Sequence, residues 1–206
     1  MYKRQSYWNV SDTATLTNMF TDADMMLSNL GFSSTPTSAE FNKTRITDRS
    51  SLDTAISAWI ADEAAATATY GDIYHWDVRA ITDFSSLFKD ATSFNSDISN
   101  WDVSAGTDFS DMFENADAFN QDIGSWDVSS GTDFTEMFSN AQAFNQDIGS
   151  WDVSSGNDFS GMFSNADGFN QDISNWDVVS AGSNFSEMFR YADAFNQNIG
   201  NWEVSN

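Results

Sequence analysis

The chain has 206 residues, 31 acidic against 8 basic side chains, a formal charge of −23 and no cysteine, with a hydrophobic share of 40% that includes 18 Phe and 8 Trp. An acidic surface repels phosphate, which excludes nucleic acid and disfavours anionic membrane as partners. The lack of cysteine excludes disulfides and thiolate metal sites, and no apolar run approaches the roughly 18 residues a membrane helix needs. The aromatic content is ample for a core, so global disorder is not expected. Basic protein patches, divalent cations and neutral glycans stay open as partners.

In chain order, Met1–Gln5 (MYKRQ) reads as the translation of a transposon-type sequencing adapter and is set aside as an artefact. On that reading the chain is expected to be a metagenomic fragment whose authentic start, with any signal peptide, lies elsewhere. Residues 6–31 hold a diverged copy of the unit described below. Trp8, Leu16, Met19, Phe20, Ala23, Met26 and Leu30 fall at the offsets of Trp101, Phe109, Met112, Phe113, Ala116, Phe119 and Ile123, as in the last repeat of an earlier array. Residues 32–49, with the only proline at Pro36, read as a linker. Residues 50–71 read as one helix. Leu52, Ile56, Trp59 and Ile60 form an apolar stripe, Ser50 with Asp53 three residues on suits an N-cap, and Gly71 is a stop signal. Its expected role is to cover the first core layer of the array that follows.

From residue 72 to 206 a sentence of about 25 residues is repeated five times, with a truncated sixth copy. Trp76, Trp101, Trp126, Trp151, Trp176 and Trp202 are spaced 25, 25, 25, 25 and 26 apart. Self-similarity at this period predicts units that bury their apolar side only against neighbours. In the unit from Ile98 to Phe119, Ile98, Trp101 and Val103 predict a short extended segment and Ala105-Gly106-Thr107 a turn. Met112, Phe113 and Ala116, at i, i+1 and i+4, predict a short helix. Seven large apolar side chains per unit are worth on the order of 10–20 kcal/mol gross. Ordering the backbone costs a comparable amount, roughly 1–2 kcal/mol per residue, so one unit does not fold alone. The core expected to line up across units is the Trp column with Phe113, Phe138, Phe163 and Phe189.

Equal positions in stacked units make columns. One acidic column is Asp72, Asp97, Asp122, Asp147 and Asp172, ending in Asn198; a second is Asp77, Asp102, Asp127, Asp152 and Asp177, ending in Glu203. A third is Asp83, Asp108, Asp133 and Asp158, ending in Asn184, and an amide column runs Asn95, Asn120, Asn145, Asn170 and Asn196. Two readings stand. Carboxylates about 5 Å apart repel by roughly 0.8 kcal/mol per pair even in water, and calcium on the first two columns would relieve that. Against it, neither an EF-hand loop nor the glycine-rich calcium nonapeptide is present. The structural reading assigns the third column, Asp108, Asp133, Asp158 and Asn184, to helix N-caps, with Asp111, Glu136 and Glu187 three residues on completing capping boxes. No organic cofactor is indicated, and calcium is the ion such ladders would take. An exposed Trp column would suit glycan stacking, whereas a buried ladder is favoured because Ile98, Trp101 and Val103 have no other core to serve. The lone His75 lacks partners for a metal or catalytic role. Acidic groups repeated identically do not build one convergent pocket, so no enzyme is expected.

The Trp-Asp-Val, Met-Phe and Phe-Asn-Gln motifs, recurring in fixed register as in WDVSAGTDFSDMFENADAFNQDI, closely resemble the 26-residue repeats of BspA-like bacterial surface proteins, which are relatives of leucine-rich repeats. The resemblance covers residues 72–206 strongly and 8–31 weakly. It implies an α/β solenoid, a leucine-rich-repeat-like stack of short strand plus short helix units behind the capping helix. It also implies a secreted or cell-surface, non-catalytic module for adhesion or protein recognition, whose partner is a host or neighbouring-cell surface protein. A calcium-stiffened spacer and a glycan-binding module are the alternatives. Glu114, Ser139, Ser164 and Arg190 are the variable surface positions expected to tune selectivity. Gly106, Gly131, Gly156 and Gly182 depart from the pattern, standing where only Ile81 keeps an apolar residue, so a second strand after the turn is less secure.

Overall fold

The structure, a computed structural model, describes residues 44–178 and 183–202. The adapter, the diverged repeat, most of the linker, Gly182 and Glu203 lie outside the described residues.

The segment expected to be one helix is two. Helix α1 spans Arg49–Ala61 and α2 spans Glu63–Tyr70. The N-cap of α1 is Asp48, whose carboxylate accepts from the Ser51 N–H, so Ser50 lies inside the helix. Asp62 separates the two helices: its backbone is extended (φ −160°) and its side chain accepts from the Ala65 N–H, ending one helix and capping the next. Gly71 ends α2 at φ 73°, a conformation glycine enters without steric cost. Leu52, Ala55, Ile56 and Trp59 face inward, while Ile60 is half exposed.

From Ile73 onward the units lie one on another in register. Isolated parallel bridges join Asp83 to Asp108, Asp108 to Asp133, Asp133 to Asp158, and Asp158 to Asn184. Each internal unit buries the same eight side chains: Ile98, Trp101, Val103, Phe109, Met112, Phe113, Ala116 and Phe119 in the specimen unit. They continue as ring columns. Phe84, Phe109, Phe134, Phe159 and Phe185 stack at 5.3–5.5 Å between centroids. Phe88, Phe113, Phe138, Phe163 and Phe189 stack at 5.3–5.6 Å. Within a unit, Phe113 lies 4.0 Å from Phe119, tying one column to the next.

The predicted short helix is a different object. Residues 110–115 form consecutive turns with Asp111 at φ 55° and Asn115 at φ 58°. Left-handed residues at this spacing interrupt an α-helix. Their effect is to aim alternate N–H groups out of the unit. Phe109, Asp111, Phe113 and Asn115 donate to the carbonyls of Asp133, Thr135, Met137 and Ser139 in the next unit at 2.8–2.9 Å. Met112, Glu114 and Ala116 donate back within the unit to Phe109, Asp111 and Phe113. Asp108, Asp133, Asp158 and Asn184 are therefore not helix N-caps, and Asp111, Glu136 and Glu187 are not capping-box partners; all three of the latter carry positive φ.

Side chains complete each junction. The indole N–H of Trp126 reaches the Ile98 carbonyl of the preceding unit at 3.3 Å, and Trp101, Trp151, Trp176 and Trp202 repeat the bond at 2.8–3.2 Å. The Asn column accepts through Oδ1 from the backbone N–H of the next Asn, at 2.9 Å from Asn120 to Asn95. The following Gln then clamps the same Asn, as Gln146 does on Asn120. In the first unit Ser96 stands in the Gln position and accepts from the indole of Trp59 in α1 at 2.9 Å. The departing glycines serve space: a Cβ on Gly131 would stand 2.4 Å from Cζ of Phe134 and 2.9 Å from the Val128 carbonyl.

The N-terminal face is closed by α1 in the language of the stack. The carbonyls of Asp83 and Ser85 occupy the places that accept inter-unit N–H groups in later units. Arg49 supplies the missing donors, with Nη1 3.2 Å from the Asp83 carbonyl and Nη2 on that of Ser85. Replacing Arg49 with Ala should cost about 1–3 kcal/mol by leaving those carbonyls without donors, measured by urea unfolding, with amide exchange fastest in the first unit. Gly131→Ala should cost a similar amount, about 1–3 kcal/mol, through overpacking in the middle of the stack.

Candidate functional site

The lateral surface is ruled by the acidic columns, and each column performs one local task. Asp97, Asp122, Asp147 and Asp172 accept through Oδ1 from the N–H two residues on, at 2.9–3.0 Å. Asp102, Asp127 and Asp152 do the same for Ser104, Ser129 and Ser154 at 3.0–3.2 Å and also take those serine hydroxyls at 2.6 Å. Asp108, Asp133 and Asp158 accept from Ser110, Thr135 and Ser160 at 2.8–3.0 Å. All three columns are rows of Asx turns.

Only the oxygen is needed for such a turn. Asn198 closes it for Gly200 at 3.0 Å, and Asn184 closes it for Ser186 at 3.1 Å. The negative charge of the other positions is therefore surplus to the turn. The Ser129 hydroxyl and N–H hold the Asp127 carboxyl below its ordinary range; Ser154 does so for Asp152 and Ser174 for Asp172. These three carboxylates point into solvent and stay ionised at neutral pH.

The columns proposed for calcium do not gather carboxylates in threes. Among the described residues, the three-carboxylate group with ion-binding spacing is Asp111, Glu114 and Glu136, whose ligand oxygens lie within 4.8 Å of one another. Asp111 and Glu136 hold equal positions of neighbouring units and Glu114 joins them from another position, so no single column displays the group. Lys89 already serves it: Nζ lies 3.5 Å from Asp111 and on the Glu114 carboxylate, which raises the Lys89 pKa. Burial, then the charges of Glu114 and Asp111, push the Glu136 carboxyl up.

Two expected recognition features are relocated. Ser139 and Ser164 are buried, 5% and 9% exposed, so they are not surface selectivity positions. Their hydroxyls accept from Asn140 and Asn165. Trp76, Trp101, Trp126, Trp151 and Trp176 are 2–4% exposed and offer no ring face for sugar stacking. His75 packs edge-on against Tyr74 at 4.9 Å.

A family model described as Mycoplasma protein of unknown function, DUF285, matches residues 60–157 and 132–206. The two matches overlap, as a repeated sequence requires. No curated protein and no solved structure matches the chain.

The titrations have opposite signs. Glu136 holds its proton more tightly in the folded chain, so its ionisation costs stability at neutral pH and acidification returns it. Asp127, Asp152 and Asp172 are lowered on folding, so their contribution is complete above the unfolded value and disappears as pH falls below it. The thermal midpoint should therefore gain the Glu136 contribution as pH falls toward the ordinary carboxylate range and lose the aspartate contribution as pH falls below it. Glu136→Gln should flatten the first limb and leave the second in place.

Proposed function

Because the chain belongs to the DUF285 family, a repeat family to which no activity is assigned, we propose from its surface that it is a non-catalytic recognition module displayed outside the cell. Its architecture is read as a leucine-rich-repeat-related solenoid of the BspA-like kind, with turn ribbons in place of the short helices. One observation carries the proposal. The Asx turns of the ruled face need only an oxygen that Asn supplies at Asn184 and Asn198, yet Asp holds nearly every other such position. A charge that the turn does not require serves the surface. The chemistry that fits is a basic protein face, steered by a field from a chain of net charge −23.

The experiment separates charge from fold. The immobilised chain is presented to a cell-surface protein fraction beside its triple variant Asp102→Asn, Asp127→Asn, Asp152→Asn, each with calcium and with chelator. The variant keeps its turns, so its melt should stay within about 1 kcal/mol of the parent. Basic proteins should be retained by the parent and released by moderate salt, with at least about tenfold less capture by the variant. Equal capture by both chains, or none above background, rejects the proposal. Capture that needs calcium, with a midpoint raised by calcium, favours the stiffened spacer instead.

A further inference from the structure

The indoles form a column of their own, running from the helical cap into the stack. Trp76 and Trp101 stack at 6.3 Å between centroids with planes 17° apart, and Trp151 and Trp176 at 6.4 Å with planes 3° apart. Trp126 stands between these pairs. It makes the same indole bond to the preceding unit, and Phe113 approaches it at 6.4 Å, as Phe138 approaches Trp151. All five indoles are buried, and every one of their N–H groups is bound to a backbone carbonyl. At the cap the column meets two rings set edge-on to Trp76, Trp59 at 5.7 Å and Tyr70 at 5.9 Å. Trp59 is buried with its N–H on the Ser96 hydroxyl, whereas Tyr70 is only partly buried. The neighbouring columns hold phenyl rings, which yield no electron to oxidants that take one from an indole or a phenol. The Trp column alone is therefore redox-active, and it connects with a partly exposed phenol.

We propose that the Trp column conducts single electrons, drawing them from Tyr70 at the cap toward an oxidising radical that meets the flank of the stack. The oxidant is a one-electron radical of the carbonate or peroxyl class. It takes an electron from one indole, Trp176 for example, and leaves the radical cation. The carbonyl bonded to that indole is no base, so the N–H proton stays and only charge has to move. Trp151, Trp126, Trp101 and Trp76 then supply the electron in turn. Tunnelling falls off exponentially with distance, so short steps between stacked rings outrun one jump over the whole column. Tyr70 gives the last electron to Trp76 and its phenolic proton passes to water, leaving a neutral tyrosyl radical. A thiol or enediol reductant in solution returns an electron and a proton to Tyr70, so the chain is restored and one electron has crossed from reductant to oxidant. Trp59 is no outlet, because burial closes it to water. The gain is protection of the interior. Met112, Met137 and Met162 are buried there, and a sulfoxide would set a polar group inside an apolar core.

The chain has no cysteine, so Asn175→Cys, at an exposed position next to Trp176, gives one attachment point for a ruthenium photo-oxidant on the full chain. Every chain tested also carries Tyr191→Phe, which removes an exposed phenol of the following unit. After a flash, transient absorption should show an indole radical that decays as a tyrosyl radical rises. Tyr70→Phe should abolish the tyrosyl signal and prolong the indole one. Trp126→Phe keeps a ring but breaks the redox column, and it should likewise abolish the tyrosyl signal. Trp101→Phe makes the same break nearer the cap should the first variant melt early. Under steady illumination with ascorbate, mass spectrometry should find more oxygen on Met137 in the Tyr70→Phe chain than in the parent. A parent that forms no tyrosyl radical overturns the proposal, as does a tyrosyl signal that survives Tyr70→Phe or either break in the column. Equal methionine oxidation with and without Tyr70 overturns it as well.

Discussion

The four complete junctions are each made by a ribbon of alternate main-chain N–H groups pointing one way, at carbonyls of the next unit, beside single bonds that run back to the preceding unit, as from Thr107 to Thr82 and from Ala118 to Thr92. That one-way pairing dictates what can stand at most positions of the repeat. Sending alternate N–H groups outward requires a left-handed residue at fixed places, and the two columns that hold those places are Ser86, Asp111, Glu136, Gly161, Glu187 and Asp90, Asn115, Asn140, Asn165, Tyr191. Non-glycine residues there cost of order 1 kcal/mol each. They persist because, from Ser86 to Asn165, each is fastened by an inter-unit hydrogen bond. The register of about 25 residues follows, since a slip of one residue would point the donors at ring columns instead of carbonyls.

The same constraint explains the polar residues inside an aromatic stack. A buried indole needs a partner for its N–H, and the Ile carbonyl of the preceding unit is the acceptor that stacking supplies. Asn and Gln solve the corresponding problem in the loop after each Phe: Asn presents an oxygen to the unit that follows, and Gln reaches back to secure it. Where there is no earlier unit the substitutions are specific. Ser96 replaces Gln because its partner is the Trp59 indole, and the Arg49 guanidinium provides planar N–H donors where the backbone of a preceding unit would have provided them. A helix pair thereby ends a ladder built of a different backbone geometry.

Much of this was legible before the structure. The Trp spacing and the fixed order of Phe, Met and Asn located the buried columns, because those side chains answer to the repeat register alone. The turn ribbon was not legible. Met112, Phe113 and Ala116 lie at spacings that suit a short helix equally well, and Asp108 with Asp111 imitates a capping box. The contrary signals were weak ones: Asn at positions 115, 140 and 165, a residue tolerant of left-handed backbone, and Gly161 standing in a column otherwise of Ser, Asp and Glu. The Asp111, Glu114 and Glu136 group was invisible for another reason. It joins two equal positions of adjacent units, Asp111 and Glu136, to Glu114 from another, so no single column displays it. Ser139 and Ser164 looked like surface positions because serine is small and polar, and the packing of their neighbours buries them.

Charge and stacking also act on each other. A face of Asx turns made with Asn would hold the same backbone, without the carboxylate repulsion that runs down three columns. That repulsion, roughly 0.8 kcal/mol per neighbouring pair at water-like dielectric, is tolerated because it is spread along a surface whose interior is continuous aromatic contact. It opposes something the interior favours. A chain rich in apolar rings is prone to associate with its own kind whenever that interior is exposed, and uniform negative charge along the flanks raises the cost of bringing two such bodies together side by side. The charge pattern thus selects for contacts with cationic surfaces over indiscriminate aggregation of the stacks.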